Sequence, residues 1–420
     1  MNVIIWHLRS SYVNIDEAIP YGQNIRTQAF LNVLTNILHE LGHNVEVKIV
    51  RIAHPLRKIE VSKEDKDKYF LLHFYKSTIM YRGFLRFLRI ISYKLLPNYI
   101  KEILNVLDLM IVLCKIRELK NILTNTKSKY INILVFDDIG SCHLFKDIST
   151  LKEDNNIIIY FPHNCYANLT GPFSNKIKKL EKKIIKFSDL IITSSSRDLE
   201  LYKKLYGIKD ERNIISFANV FPPVDPPYSI VRLVELLSIE KEKIPTIVLN
   251  IGAKVSEKHI LTYLEEVSEA INDLEGIKIL VIGENLVRYL RRFEWGNNEI
   301  EYMPYIPSRL EFIRQLSRAH IGINYAYKLM GTNVKRFDFA LAGLVIISRH
   351  PGSRGELLPY EYVYVDAMDL KVKLKKLIEC DLKKMGEENK REAIKLAIES
   401  YENLRKELKV LMKGINKKIN

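Results

Sequence analysis

The segment Gly331-Thr-Asn-Val-Lys-Arg-Phe-Asp-Phe-Ala-Leu-Ala-Gly343, continued by Leu344-Val-Ile-Ile-Ser348, sets a polar loop ahead of a short helix, a glycine and an apolar strand. Thr332 or Asn333 is placed to cap that helix. The free backbone N–H groups and the dipole at this end suit a phosphate. Lys335 falls on the first turn and Asp338 three residues on, so the two side chains share a face. The pattern reads as Lys335 on phosphates and Asp338 on a ribose hydroxyl pair. An exposed i, i+3 ion pair on a surface helix is the plain alternative.

Ligands of open parallel sheets sit beyond the carboxyl ends of the strands, so residues just after each apolar run are the next candidates. Asp137 and Asp138 follow the run 131–136, and His163 follows 157–161. Gly252 comes after 246–250, and Gly283 after 277–282. Tyr305 follows 299–303 and could stack on a base; Arg354 lies in a glycine-rich loop after 344–348, where phosphate is the expected contact. Gly22 ends the first polar loop, either to admit backbone close to a ligand or as a simple turn residue.

These positions need a scaffold that alternates strand and helix. A strand at 3–6 is followed by a loop, then by apolar residues at helical spacing from Ile25 to Leu41, then by a strand at 45–50. Gly42 is expected to end that helix in a left-handed cap. Such a βαβ unit implies parallel strands. The alternation returns at 131–217 and again at 246–365. Between those blocks, residues 221–228 read Phe-Pro-Pro-Val-Asp-Pro-Pro-Tyr, which neither a helix nor a central strand accepts. The expected organisation is α/β, two Rossmann-like domains facing across a cleft. Residues 1–220 form the first, with an irregular, mostly helical, basic and aromatic region at about 54–130; residues 221–228 form a linker. The second domain is 229–400, and 401–420 is the basic end of a closing helix.

Composition narrows the functional classes. With 420 residues, two domains are the natural size, and 47% hydrophobic with 27% charged residues describes a globular chain. A net charge of +15 suits nucleic acid, anionic lipid or phosphorylated small molecules. Nucleic acid draws support from charge alone, so it is not an expected partner. Cys114, Cys142, Cys165 and Cys380 form no C-x-x-C pair, which signals neither a zinc site nor a disulfide framework and suits a reducing, cytoplasmic compartment. The opening residues read as a strand rather than a secretory leader. The run 103–114 contains Asp108 and is too short to span a bilayer. Residues 69–101 interleave Phe70, Phe74, Tyr75, Phe84, Phe87 and Tyr93 with Lys76, Arg82, Arg86, Arg89 and Lys94. On helices, that mixture suits peripheral contact with an anionic membrane, on the inner face, or a core helix with a solvated side.

The chain resembles the GT-B glycosyltransferases, especially family four, outside the 54–130 region. Asp338 falls on a family glutamate, Gly343 on the glycine of its Ala-hydrophobic-Ala-x-Gly stretch, and Leu344 where proline is usual. Tyr21-Gly22 falls on a glycine pair, and Leu41-Gly42-His43-Asn44-Val45 resembles the entry to the second strand. His163 matches an acceptor-side histidine, Phe187 to Ser194 resembles an Ala-Asp-x-hydrophobic segment, and Asn219-Val220 matches the approach to the linker. Ile251-Gly252, Lys258 and Val281-Ile282-Gly283 resemble the donor-side motifs. The chain also departs from the pattern: Ala253 stands where the family has a diphosphate-binding arginine, so that either Lys254 substitutes or the charge is missing; Met330 stands at the first glutamate; and Asp338 replaces the second with a shorter arm.

The resemblance implies transfer of a sugar from a nucleotide-sugar donor to a glycan or lipid-linked acceptor, retaining in outcome, although Met330 leaves the stereochemistry open. Asp137-Asp138 are adjacent and do not form the Asp-x-Asp metal motif of the GT-A enzymes, so no metal and no cofactor is expected. It implies His163, Lys258 and Lys335 in catalysis. Gly252, Lys254, Lys258, Gly283, Tyr305, Thr332, Asn333, Val334, Lys335 and Asp338 would bind the donor, and Gly22, Asp138 and His163 would lie on the acceptor side. Two rivals remain: a catalytically degraded GT-B protein serving as a membrane-surface or scaffold module, favoured by Ala253 and Met330, and a nucleotide-sugar epimerase.

Overall fold

The computed structural model describes residues 1–9, 22–52, 69–72, 130–137, 151–152, 155–162, 174–208, 214–218, 240–251, 256–306, 308–325, 334–350, 355–356 and 358–419. The proline-rich stretch 221–228 and most of 54–130 lie outside them.

The first lobe begins with β1 (Asn2–Arg9), α1 (Gly22–Glu40) and β2 (Asn44–Ile52). Gly42, at φ +81°, ends α1 as expected. Its N–H reaches the His39 carbonyl at 2.9 Å and the His43 N–H reaches Leu38 at 3.0 Å. That pair of bonds is a Schellman cap, which satisfies the carbonyls the helix leaves open. β3 (Tyr69–Leu72) runs parallel to β2, with Ile49 opposite Tyr69. This corrects the helical expectation for the start of the 69–101 segment: a Tyr-Phe-Leu-Leu run has strand propensity, and β2 offers it an edge to pair with.

β4 (Tyr130–Asp137), β5 (Asn156–Phe161), α2 (Ser174–Phe187), β6 (Leu190–Thr193), α3 (Ser196–Tyr206) and β7 (Ile214–Ser216) complete the lobe. The seven strands lie in the order β3-β2-β1-β4-β5-β6-β7, all parallel. Side chains alternate across this sheet. Val3, Ile5, Ile133, Val135, Ile159 and Phe161 face α1, while Ile4, Trp6, Leu134, Phe136, Ile158 and Tyr160 share a cluster with residues of α2 and α3. Burial on both faces is what a parallel sheet requires.

The second lobe runs β8 (Thr246–Asn250), α4 (Glu257–Ile271), β9 (Lys278–Ile282), α5 (Glu284–Leu290), β10 (Glu299–Met303), α6 (Arg309–Leu316), β11 (Ile321–Asn324) and α7 (Val334–Leu341). β12 (Val345–Arg349), β13 (Glu361–Tyr364), α8 (Ala367–Ile378) and α9 (Leu382–Ile419) follow. Its parallel sheet is ordered β10-β9-β8-β11-β12-β13.

α9 joins the lobes. Its 38 residues span about 57 Å at the usual rise. In the second lobe Asn389 is fully buried, donating to the carbonyls of Leu344 (2.9 Å) and Tyr360 (3.0 Å) and accepting from the Tyr360 N–H (2.8 Å). In the first lobe Ser400 Oγ accepts from the Ala218 N–H at 3.1 Å. Glu40, on the last turn of α1, takes the Tyr401 hydroxyl at 2.5 Å and faces Arg405 at 3.4 Å. Ala393, Ala397, Leu404, Leu408 and Met412 share one apolar cluster with Phe30, Leu34 and Phe217 of the first lobe and Phe337 and Leu341 of the second. The closing helix expected from sequence is therefore a rod that both lobes pack against.

Candidate functional site

β8 lies between β9 and β11, so the strand order reverses there, and the carboxyl ends of β8 and β11 are where an open parallel sheet is expected to take a ligand. The helices entered from these two strands are α4 and α7. Lys258 is the second residue of α4 and is exposed. Lys335 is the second residue of α7 and is half-buried. Both lysines thus stand on first turns at the switch point, where the helix dipoles add to their charge. Burial lowers the Lys335 amine to about 7, with the nearby Asp338 pulling it back upward.

α7 is not a surface helix, which removes the exposed ion-pair alternative. Every residue from Arg336 to Leu341 is buried. Its two other charges are matched within the lobe. Asp338 Oδ1 accepts from Arg309 Nε at 2.9 Å and Nη2 at 2.5 Å. Burial raises the Asp338 carboxyl against the pull of Arg309. Arg336, wholly buried, donates from Nε and Nη2 to the carboxylate of Glu361. Ser348 Oγ donates to Glu361 Oε1 at 2.7 Å and receives Asn324 Nδ2 at 2.9 Å. A buried charge needs such partners. Lys335 is the third charged residue of α7, on its first turn, and the Asp338 carboxylate acts on it electrostatically.

Val334 opens α7 and is half-buried. Gly283 sits at the end of β9 with φ +115°, a conformation that other residues rarely adopt. Its N–H bonds the Met303 carbonyl at 3.1 Å, which ties the ends of β9 and β10 together. Tyr305, two residues past β10, is half-buried, and burial raises its hydroxyl pKa. Gly22 is the first residue of α1, beyond the carboxyl end of β1. Gly252, Lys254, Thr332, Asn333, Asp138 and His163, with Ala253, Met330 and Arg354, lie outside the described residues.

The first lobe presents a polar cluster that the sequence pattern did not assemble. His7 Nε2 meets Asp137 Oδ2 at 2.9 Å, and Thr27 Oγ1 donates to the same oxygen at 2.9 Å. A carboxylate only accepts, so the bond sets the His7 proton on Nε2. Arg26 donates to the Pro162 carbonyl at 2.7 Å and lies 4.1 Å over the Phe161 ring. Together they fix the start of α1 to the carboxyl ends of β1, β4 and β5. Asp137 is thus an internal anchor. Nothing in sequence spacing pairs residues 7, 27 and 137.

Among the described residues, no group of three or more His, Cys, Asp or Glu is placed to hold a metal ion. No helix among them is long and apolar enough to cross a membrane.

Two parallel-stranded lobes joined by a shared closing helix are the GT-B architecture. The chain is similar to sucrose-phosphate synthase from Thermosynechococcus elongatus, at 14% identity and a TM-score of 0.58 over 98% of this chain and 99% of that one. An alpha,alpha-trehalose-phosphate synthase (UDP-forming) from Burkholderia vietnamiensis gives 11% identity and a TM-score of 0.58, covering 99% and 97%. A glycosyltransferase from Rickettsia africae gives 13% and 0.55, covering 100% and 98%. At these identities the likeness is one of fold. No protein-family model matches the sequence, and no curated protein matches it.

Proposed function

We propose that the chain is a glycosyltransferase that binds a nucleotide-sugar donor in the second lobe and a glycan or lipid-linked acceptor against the first. The observation that carries this reading is the pair Lys258 and Lys335 on first turns at the β8/β11 switch point. The named activities of the fold neighbours support it.

In the transfer, the bond between the anomeric carbon and the diphosphate oxygen breaks as the acceptor oxygen bonds that carbon, and the acceptor hydroxyl's proton passes to the departing diphosphate. Negative charge grows on the departing diphosphate. Fixed cations and helix N-termini aimed at it stabilise the transition state more than the ground state. Lys335, beside α7's N-terminus, and Lys258, beside α4's, supply that charge, so the reaction we propose needs no metal. Gly283, Tyr305 and Val334 line the donor side, together with Gly252, Lys254, Thr332 and Asn333. Asp338, expected on a ribose hydroxyl pair, is buried with Oδ1 held by Arg309, so we assign it a role through Lys335 instead. Gly22, Asp138 and His163 form the acceptor side, with His163 positioning the acceptor hydroxyl. Retention of configuration is part of the proposal, and so is peripheral contact with an anionic membrane on the cytoplasmic side.

Assays of hydrolysis and transfer with a panel of UDP, GDP and ADP sugars test the reading. The expected result is turnover of one donor class and a loss of donor affinity of about tenfold or more in Lys335→Ala. Binding without turnover would favour a scaffold role, and epimerised free donor would favour an epimerase. Unchanged affinity in Lys335→Ala would remove the site.

A further inference from the structure

The N-terminus of α3 lies just beyond β6, at the carboxyl edge of the first sheet. It begins with a serine N-cap: Ser195 Oγ accepts from the Asp198 N–H at 3.1 Å, and the hydroxyls of Ser194 and Ser195 donate to Asp198 Oδ2 at 2.9 and 3.1 Å. Ser196 is the first helical residue, and its N–H and hydroxyl are not used by that cap. Both donate to Glu356 of the second lobe, the hydroxyl to Oε2 at 2.6 Å and the N–H to Oε1. Glu356 belongs to the loop beyond the carboxyl end of β12. The two carboxyl edges therefore meet through this contact.

The same residue is tied to α7. The Glu356 carbonyl accepts from Arg336 Nη2 at 2.6 Å. Arg336 is the sequence neighbour of Lys335 and is clamped on Glu361, which continues through Ser348 to Asn324 at the end of β11. A continuous polar chain thus runs from the switch point, past the helix that carries Lys335, into the other lobe.

We propose that Glu356 is a positioning residue: a helix cap supplied across the cleft that holds the lobes at their closed spacing and, through Arg336, couples that spacing to α7. The catalytic part of this inference rests on the glycosyltransferase reading; the cap itself does not. A carboxylate at a helix N-terminus is favoured by the dipole and by charge-assisted bonds. In an open state water satisfies the same groups, so the contact is weak enough to break in each cycle. The apolar packing of α9 against both lobes has no such substitute and is the natural pivot. Closure would assemble the acceptor lobe around a donor already held in the second lobe, so the loss of the cap should reach turnover rather than donor affinity.

The test uses the full chain carrying nitroxide labels at Lys179→Cys on α2 and Met368→Cys on α8, both exposed, with the four native cysteines replaced by serine. Interlobe distances are read by pulsed electron resonance in Glu356→Ala, Glu356→Gln and Ser196→Pro. Proline suits the first helical position and removes the N–H, so Ser196→Pro should keep its melting temperature. The expected result is a broader, longer distance distribution in Glu356→Ala and Ser196→Pro. Glu356→Gln should lie closer to the parent, since its amide oxygen still accepts. Affinity for the nucleoside diphosphate bound by the parent should stay within about twofold, while kcat for transfer falls about tenfold in Glu356→Ala. A parental distance distribution in Glu356→Ala and Ser196→Pro overturns the cap. An altered distribution with parental kcat overturns the coupling to chemistry. If the parent turns over no donor, the glycosyltransferase reading fails, and the distances still decide whether Glu356 holds the lobes.

Discussion

Arg309 directs two N–H groups, Nε at 2.9 Å and Nη2 at 2.5 Å, at the same oxygen of Asp338, and their side chains are only 5% and 6% exposed. The pair joins α6 to α7 beneath Lys335. Removing one member strands a charge in the interior, which costs about 3–5 kcal/mol, whereas replacing both with apolar residues costs far less. Arg309→Met is therefore expected to lose about that much in urea unfolding. Arg309→Met combined with Asp338→Leu should recover most of it. If the double variant is no more stable than the single, the two residues are not a matched pair.

If Lys335 holds the donor phosphates, as proposed, nucleotide binding depends on pH. Burial brings its amine down to about 7, whereas an unfolded lysine titrates near 10.5. Between those values the unfolded chain binds the extra proton, so this residue makes stability rise with pH across that window. An anion beside the amine raises its pKa again, so above about pH 7 binding draws in a proton and affinity falls as pH climbs. The expected slope approaches about tenfold per pH unit between about pH 7.5 and 9. Calorimetry in buffers of different ionisation enthalpy should register the proton uptake, and Lys335→Arg should flatten the profile. A flat profile in the parent would place the anion elsewhere.

The features that were legible from sequence are local ones. The apolar runs gave the strands from β4 onward within a residue or two, and Gly42 marked the end of α1, because burial and backbone geometry leave a trace in adjacent residues. The first-turn position of Lys335 followed from the loop-helix-glycine-strand pattern, and Lys258 was singled out by the family resemblance. The partners of those positions were not. His7 meets Asp137 from 130 residues away, Arg309 meets Asp338 from 29, and Glu356 crosses to Ser196 from 160. Such pairs are set by the crossing of elements, which one sequence does not encode at any spacing. β3 was missed for another reason: four residues of strand carry too little pattern to stand out from a basic, aromatic context.

Glu181, on α2, is wholly buried and holds α2 and α3 to the first sheet through three phenols. Tyr160 of β5 donates to Oε1 at 3.1 Å, Tyr206 of α3 to Oε2 at 2.5 Å, and Tyr202 of α3 also to Oε1. Hydrogen bonds to a buried charge contribute about 1.5–3 kcal/mol each. Tyr202→Phe should cost an amount in that range in denaturant unfolding. A cycle with Tyr206→Phe should show coupling of at least about 0.5 kcal/mol, because both serve one carboxylate. Strict additivity would mean that the phenols act independently.

α9 carries two glycines whose replacement should have opposite effects. At Gly386 an added Cβ would stand 1.9 Å from the carbonyl oxygen of Gly343 and 2.7 Å from its carbon, so the helix passes the turn between α7 and β12 with no room for a side chain. Gly343 itself sits at φ +72°, so that turn is not free to retreat. A methyl group must push α9 outward and stretch the bonds of Asn389 to Leu344 and Tyr360. Overpacking costs about 1–3 kcal/mol, and the strained Asn389 bonds put Gly386→Ala at the upper end or beyond. At Gly414 an added Cβ meets nothing within 4 Å, and alanine there should stabilise the helix by about 0.5–1 kcal/mol. Thermal denaturation of the two variants reads the sign directly. A fall in melting temperature for Gly386→Ala and a rise for Gly414→Ala is the expected outcome. A rise in both would mean that α9 is seated more loosely on β12 than the Gly343 contact requires, and that it could not serve as the pivot between the lobes.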